Sequence, residues 1–282
     1  MNKIKDEFQR KGFVTIPDFF DPQEIQDLKK AVHRLIENMD PSDHTSCRVF
    51  TFDEMDTDLT SNDKIRFFFE KDAVNEKREL IVDRHDSLNK LGYAMHWLEP
   101  TFKKITFSPK VQNLVRQLGF VKPRVVQSMY IFKNPRIGGV VLPHQDATYL
   151  SAVPKKSGDR PKEIGVWFPL EDATEENGCL WFIPGSHMTG LHRQSVPTEN
   201  GKFEYTAPLP DYDEKSWVSA PAKKGSVVLI DGLVVHKSAH NSSKYPRPIY
   251  TFHIYDAETC DWDPKSWMQM GPGNPFPPLF TN

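Results

Sequence analysis

Arg124-Val125-Val126-Gln127-Ser128-Met129-Tyr130-Ile131-Phe132-Lys133 opens the part of the chain where the period of the sequence becomes two. β-Branched and aromatic residues dominate, no glycine or proline interrupts the run, and the segment reads as a strand over Val125 to Lys133. Four further runs downstream have the same character: Glu163 to Leu170, Cys179 to Ile183, Ser226 to Ile230 and Ile249 to Tyr255. Gly, Pro and Asn separate them, so the pattern predicts short antiparallel strands in a sandwich or barrel. Upstream, the first hundred or so residues read mostly as helix and loop. Asp21-Pro22-Gln23-Glu24 supplies an N-cap, a proline at N1 and a glutamate at N3, ahead of Ile25, Leu28, Val32, Leu35 and Ile36 at helical spacing. A second helix is expected from Ser108-Pro109, ending at Gly119. Asp40 to Asn62 is polar and broken, as an exposed connection would be.

The chain has 282 residues, of which 38% are hydrophobic and 12% aromatic, enough to bury a core and too many for a disordered or fibrous protein. Thirty-six basic and thirty-eight acidic residues nearly cancel, and no block of like charge is long enough to bind a phosphate backbone, so no nucleic-acid partner is expected. Apolar runs such as Gly225 to Ile230 are far shorter than the ~20 residues of a membrane span. Cys47, Cys179 and Cys260 are odd in number and widely spaced, which fits neither a disulfide framework nor a zinc knuckle. The first residues lack the marks of a signal or transit peptide, and Leu279-Phe280-Thr281-Asn282 is not a peroxisomal Ser-Lys-Leu signal. A cytoplasmic protein is the expectation.

Chemistry concentrates in Pro143-His144-Gln145-Asp146. Alternate residues of an extended segment point the same way, so His144 and Asp146 can face one interior point. His236, in Val235-His236-Lys237-Ser238 after the fourth strand run, can supply a third donor. Two imidazoles and one carboxylate on one face suit non-haem ferrous iron. Arg247 follows at the start of the next strand run, placed to hold a carboxylate bidentately. An iron site with a guanidinium nearby is what 2-oxoglutarate requires: its keto acid end chelates the metal and its far carboxylate needs a cation. His187 sits in the turn signal Pro184-Gly185-Ser186-His187 and is left out of the metal set. His33, His44, His85, His96, His192, His240 and His253 have no comparable spacing, so ordinary core or surface duty is expected of them.

With these residues the chain resembles the ferrous iron and 2-oxoglutarate dioxygenases, specifically the phytanoyl-CoA dioxygenase branch. Gly12-Phe13-Val14-Thr15-Ile16 and Asn177-Gly178-Cys179-Leu180-Trp181-Phe182-Ile183-Pro184-Gly185-Ser186-His187 carry the resemblance beyond the metal pattern. Asp63-Lys64-Ile65-Arg66-Phe67-Phe68-Phe69-Glu70-Lys71, the segment from Val126 to Lys133, and Tyr250-Thr251-Phe252-His253 look closest to the phytanoyl-CoA dioxygenase domain-containing proteins.

The resemblance implies a mainly β fold with flanking helices, a double-stranded β-helix or cupin-like jelly roll. One domain would span residues 1–282, with a mainly helical preface over 1–122, a jelly-roll core over 123–258 and a tail over 259–282. It implies Fe(II) bound by His144, Asp146 and His236, and 2-oxoglutarate held by Lys90, Met129, Trp167 and Arg247 beside His144 and Asp146. Gln127 is a further candidate, because it shares strand parity with Met129. The expected reaction converts 2-oxoglutarate and O2 to succinate and CO2 while oxidising a small-molecule substrate, with ascorbate as a candidate reductant. Asp146 fills the position that related halogenases leave open for a halide, which favours hydroxylation.

An acyl-CoA 2-hydroxylase, a jelly roll that binds metal without turnover, and a zinc hydrolase are the alternatives. Arg247 speaks against the last two, which need no dicarboxylate partner. For the acyl-CoA reading, the nearest basic cluster is Lys155, Lys156, Arg160 and Lys162, in a loop that Asp159 and Glu163 dilute and that reads more naturally as a solvated lid.

Overall fold

The segment that opened the strand pattern lies in the interior of a sheet: Pro123–Ile131 pairs antiparallel with Ile249–Asp256 on one side and with Leu88–Tyr93 on the other. The computed structural model describes residues 2–39, 64–77, 79–200, 202–271 and 275–280, so the connection expected over 40–62, with His44 and Cys47, lies outside the described residues. In chain order the strands are β1 Phe13–Ile16, β2 Ile65–Phe69, β3 Leu88–Tyr93, β4 Pro123–Ile131, β5 Val141–His144, β6 Ala152–Pro154, β7 Glu163–Pro169 and β8 Leu180–Phe182. They continue with β9 Ser195–Pro197, β10 Phe203–Tyr205, β11 Val218–Ala220, β12 Val227–Asp231, β13 His236–Ser238, β14 Ile249–Asp256 and β15 Cys260–Trp262. Each of the five strand runs expected from sequence is present, with ends shifted by no more than a few residues.

A seven-stranded sheet in the order β1-β12-β7-β14-β4-β3-β2 faces a four-stranded sheet in the order β11-β8-β13-β5, and all these pairings are antiparallel. This is the jelly roll backed by helices. Alternation within each strand of the large sheet sends neighbours to opposite faces. Val166, Phe168, Tyr250 and Phe252 pack outward against Ile25, Leu28 and Val32 of helix α2. Trp167, Val228 and Ile249 turn inward to meet Leu180 and Phe182 of the small sheet.

The helices are α1 Asn2–Lys11, α2 Pro22–Glu37, α3 Met95–Leu98, α4 Pro100–Thr106 and α5 Pro109–Gln117. The start expected for α2 is a full capping box: Glu24 N donates to Asp21 Oδ1 at 2.9 Å and Asp21 N donates to Glu24 Oε2 at 2.9 Å. Replacing such a cap by alanine typically costs about 1 kcal/mol. Helix α5 stops just before Gly119, whose φ of 83° is the left-handed conformation that glycine adopts without strain.

The preface over 1–122 carries strands as well as helices. It contributes β1, β2 and β3 to the large sheet. Ile65-Arg66-Phe67-Phe68-Phe69 shows no alternation because both its faces are buried, and in β3 the polar Asn89 and Lys90 break an apolar pattern because they line a cavity. The tail also belongs to the core, since β15 pairs with β6, and Trp267, Met268 and Phe276 pack with Phe68, Tyr93 and Val126. Among the described residues no helix is long and apolar enough to cross a membrane.

Candidate metal and cosubstrate site

Strands β5 and β13 are neighbours in the small sheet, and their register sets His236 directly opposite His144. Asp146 follows two residues after His144, at the first position of a 3-10 turn over Asp146–Thr148. His144, Asp146 and His236 each place a donor atom within 4.8 Å of the others. His144 Nε2 and His236 Nε2 both stand 3.6 Å from Asp146 Oδ1.

The other ring nitrogens are occupied: His144 Nδ1 lies 2.8 Å from the carbonyl of Leu142, and His236 Nδ1 lies 3.0 Å from that of Val234. A carbonyl can only accept, so each Nδ1 carries the proton and each Nε2 keeps its lone pair facing Asp146. Burial, with the His144 imidazole beside it, lowers the pKa of His236 to about 4, so the ring is neutral near pH 7. Burial alone would raise the Asp146 carboxyl, but the surrounding imidazoles, those of His236 and His253 first, hold it well below the usual carboxylate range. An anionic carboxylate beside two imidazoles that each turn Nε2 toward it is the donor set a divalent transition metal requires.

His253, expected to be an ordinary core residue, is built into this site. Its Nε2 lies 3.3 Å from Asp146 Oδ2, while its Nδ1 is 3.4 Å from Gln127 Nε2. Gly165, opposite His253 on β7, makes room for the pair: a Cβ there would stand 3.2 Å from Asp146 Oδ2 and 3.4 Å from the His253 ring. A strand-parity signal was present in the sequence, because 247, 249, 251 and 253 alternate onto one face of β14 and its approach.

Arg247 is 98% buried by its exposure of 2%, and its guanidinium is only partly used. Nη2 donates to Ser238 Oγ at 3.4 Å, on the strand that carries His236, whereas Nε and Nη1 have no hydrogen-bond partner among the described residues. Trp167 lies beneath it, 5.5 Å from ring centroid to guanidinium carbon. Burial lowers the Arg247 pKa to about 10, which still leaves it charged at neutral pH.

A cavity between the sheets is lined by His144 and Asp146 together with Lys90, Gln127, Met129 and Lys133. His236, Trp167 and Arg247 sit in the surrounding walls rather than on this lining. Lys90 is buried with its ammonium over the rings of Phe68 and Tyr93, at 5.2 and 5.3 Å, and burial holds its pKa well below the usual lysine value. Lys133 was not expected here. Burial and the neighbouring Arg247 charge lower its pKa to about 6, against the opposing pull of Glu70, and its Nζ donates to the Gly139 carbonyl at 2.6 Å.

The loop cations considered for coenzyme A point elsewhere. Lys155 donates to the Ala257 carbonyl at 2.7 Å, Arg160 lies 3.5 Å from Asp231, and Lys162 lies 3.0 Å from Asp256. None of these three, nor Lys156, lines the cavity of His144 and Asp146. His187 binds the Gln9 carbonyl through Nε2 at 2.9 Å, a tie between α1 and the small sheet's turn.

A model of the phytanoyl-CoA dioxygenase (PhyH) family matches residues 8–249. Phytanoyl-CoA dioxygenase domain-containing protein 1 of Danio rerio is 46% identical over 285 residues, covering 97% of this chain and 96% of its own length. A phytanoyl-CoA dioxygenase of Arabidopsis thaliana is 38% identical, covering 94% of this chain and 92% of its own. Among solved structures, EctD from S. alaskensis with 2-oxoglutarate and 5-hydroxyectoine superposes with a TM-score of 0.61 at 18% identity, covering 96% of this chain and 88% of that one. The epimerase SnoN in complex with Fe3+, alpha ketoglutarate and nogalamycin RO gives 0.59 at 17% identity, covering 94% and 86%. At such identities these two structures speak to the fold alone.

Proposed function

Because the chain belongs to the phytanoyl-CoA dioxygenase family, we propose that it is an Fe(II)- and 2-oxoglutarate-dependent dioxygenase that oxidises, by hydroxylation, a small-molecule substrate. The observation that carries this reading is the pairing of two features: a buried His-Asp-His cluster with both Nδ1 atoms held by carbonyls, and a buried guanidinium with two nitrogens that have no partner among the described residues. A metal-binding jelly roll without turnover has no use for the second feature.

His144, Asp146 and His236 would hold Fe(II), and the bound metal would supply oxygen activation coupled to oxidative decarboxylation of 2-oxoglutarate. The chain's own residues do the rest. The carbonyls of Leu142 and Val234 lock both imidazoles in the tautomer that presents Nε2. His253 holds Asp146 from behind, so one carboxylate oxygen is oriented while the other faces the imidazoles. Arg247 would receive the far carboxylate of 2-oxoglutarate through Nε and Nη1, the two atoms that now lack partners, with Trp167 fixing the guanidinium plane from one side. Lys90 and Met129 line the cavity next to this position, Lys90 adding a further donor group. Burial excludes water from Arg247, which strengthens its hold on an anion.

Small-molecule chemistry is favoured over an acyl-CoA substrate because the basic loop of Lys155 to Lys162 spends three of its cations on Asp261, Asp231 and Asp256 and contributes none to the cavity lining. The test is direct. Purified protein with ferrous iron, ascorbate and 2-oxoglutarate should form succinate, and omission of either iron or 2-oxoglutarate should stop it. Absence of succinate under all of these conditions would refute the proposal.

A further inference from the structure

Buried or half-buried residues close most of the cavity that holds His144 and Asp146. Among the described residues lining it, Val140 alone is exposed, at 54%. The mouth of the cavity is therefore at Val140, where Gly138-Gly139-Val140 leads from β4 into β5. Strand β5 gives this segment little support. It lies at the edge of the small sheet, and its register with β13 pairs His144 with His236 and Val141 with Ser238 across an irregularity.

Two side chains from the cavity wall hold the segment instead. Lys133 Nζ donates to the Gly139 carbonyl at 2.6 Å, and the Gly139 N–H donates to Glu70 Oε1 at 3.3 Å. Both side chains line the same cavity and are exposed by only 2% and 5%. A lysine nitrogen donates and a carboxyl oxygen accepts in either protonation state, so neither bond depends on charge. Asn89, also on the lining, adds a hydrogen bond to Glu70. Lys133 is fixed at its own end of the loop: its carbonyl accepts from Asn241 Nδ2 at 2.7 Å and from the Arg247 N–H at 3.3 Å. Its stem passes Gly178, where a Cβ would stand 2.8 Å from Lys133 Cε, so no side chain fits there.

The two glycines of the segment have different parts. A Cβ at Gly138 would stand 2.6 Å from the Asn134 carbonyl, and the turn needs glycine for room. At Gly139 the nearest atom to a Cβ would be Glu70 Oε2, at 3.4 Å, and φ lies outside the left-handed region. A side chain fits at 139, so what glycine supplies there is backbone freedom. Freedom beside a cavity mouth, restrained by two side chains, is the arrangement of a hinged cover.

We propose that Gly139 and Val140 form the door of the cavity and that Glu70 and Lys133 are its latch, positioning residues that govern passage of 2-oxoglutarate and of the oxidised substrate without recognising either. The proposal rests on the dioxygenase reading and adds a control of access to that site. Opening about Gly139 breaks both bonds, whether the site is empty or filled. Weakening the latch therefore speeds entry and exit by a common factor and leaves affinity where it is. A side chain that touches the ligand changes affinity instead.

The full chain is loaded with ferrous iron without oxygen and mixed with 2-oxoglutarate by stopped flow, with the charge-transfer absorption of the complex as the signal. The dependence of the observed rate on 2-oxoglutarate concentration gives the association and dissociation constants of the reaction. Lys133→Met keeps the stem and removes the donor, and it should raise both rates about three- to tenfold with Kd within about threefold of the wild type. Gly139→Ala stiffens the hinge, and it should lower both rates about two- to fivefold at a similarly constant Kd. A larger change in Kd with the association rate unchanged in Lys133→Met places Lys133 on the ligand and overturns the latch. Wild-type rates in Gly139→Ala overturn it as well, whether or not Lys133→Met folds. Absence of the charge-transfer band in the wild type removes the dioxygenase reading, whereas its presence with unaltered rates in the variants removes only the latch.

Discussion

Among the described residues, two clusters bring two imidazoles and a carboxylate within 4.8 Å of one another: His144, Asp146 and His236 between the sheets, and His33, Glu37 and His85 on the surface of α2 and the segment before β3. By donor chemistry, two imidazoles and a carboxylate, they are the same. They differ in what already occupies the donor atoms. Glu37 lies 2.9 Å from His85 Nε2 and 2.5 Å from the Arg84 guanidinium, and these contacts, His85 first, lower its pKa. A cation entering there would have to displace Arg84. In the inner cluster the Nδ1 atoms are spent on backbone carbonyls, no guanidinium reaches Asp146 in the ion pairs formed, and His253 steadies the carboxylate from the far side. The proposed metal site is thus distinguished from the surface cluster by the orientation of its rings more than by which residues meet.

The largest effect expected from this contrast is loss of the metal. Asp146→Ala and His236→Ala should each abolish stoichiometric iron binding, measured by elemental analysis, and 2-oxoglutarate-dependent succinate formation, with circular dichroism unchanged. Glu37→Ala should keep both. Iron loss in Glu37→Ala, or iron and turnover retained in the first two, breaks the contrast.

Next in size is the cosubstrate. A hydrogen bond to a charged group contributes ~1.5 to 3 kcal/mol, so Arg247→Ala should weaken 2-oxoglutarate about ten- to a hundredfold by titration. Lys90→Ala should do less, since a lysine lacks the planar fork that matches a carboxylate. An unchanged 2-oxoglutarate dependence in Arg247→Ala would mean that another group holds the far carboxylate.

The partner behind the carboxylate comes third. His253→Phe keeps the ring volume and removes the contact to Asp146, and it should lower iron affinity by about tenfold, the lower end of outer-shell effects. His85→Phe, the matching change in the surface cluster, should leave iron affinity where it is. Equal responses would show that His253 merely fills space. The smallest effect is expected from the basic loop: Lys155→Glu combined with Lys156→Glu should leave basal succinate formation intact, and long-chain acyl-CoA should stimulate the wild type weakly or not at all. Strong stimulation that the double variant loses would restore the acyl-CoA 2-hydroxylase.

The parts of this molecule visible in its sequence are those that depend on neighbours a few residues away. The capping box of α2, the stop of α5 before Gly119, the five strand runs and the shared direction of His144 and Asp146 all follow from backbone periods and local hydrogen bonds. His236 and Arg247 could be selected as candidates because each adjoins a strand run whose order along the chain suits a jelly roll. Strands β2 and β3 escaped notice because burial on both faces, or polar side chains turned into a cavity, erases the alternation that marks a strand.

Contacts between residues far apart in the chain settled the remainder. Register between β5 and β13 set His236 opposite His144, and register between β14 and β7 brought His253 to the glycine beside Asp146. The tail delivered Trp267 to a cavity whose other walls come from β3, β4 and β5. Which way the rings of two like clusters turn depends on the carbonyls and cations that folding places within 3 Å or so of them, distances that hydrogen bonding requires and that no sequence spacing encodes.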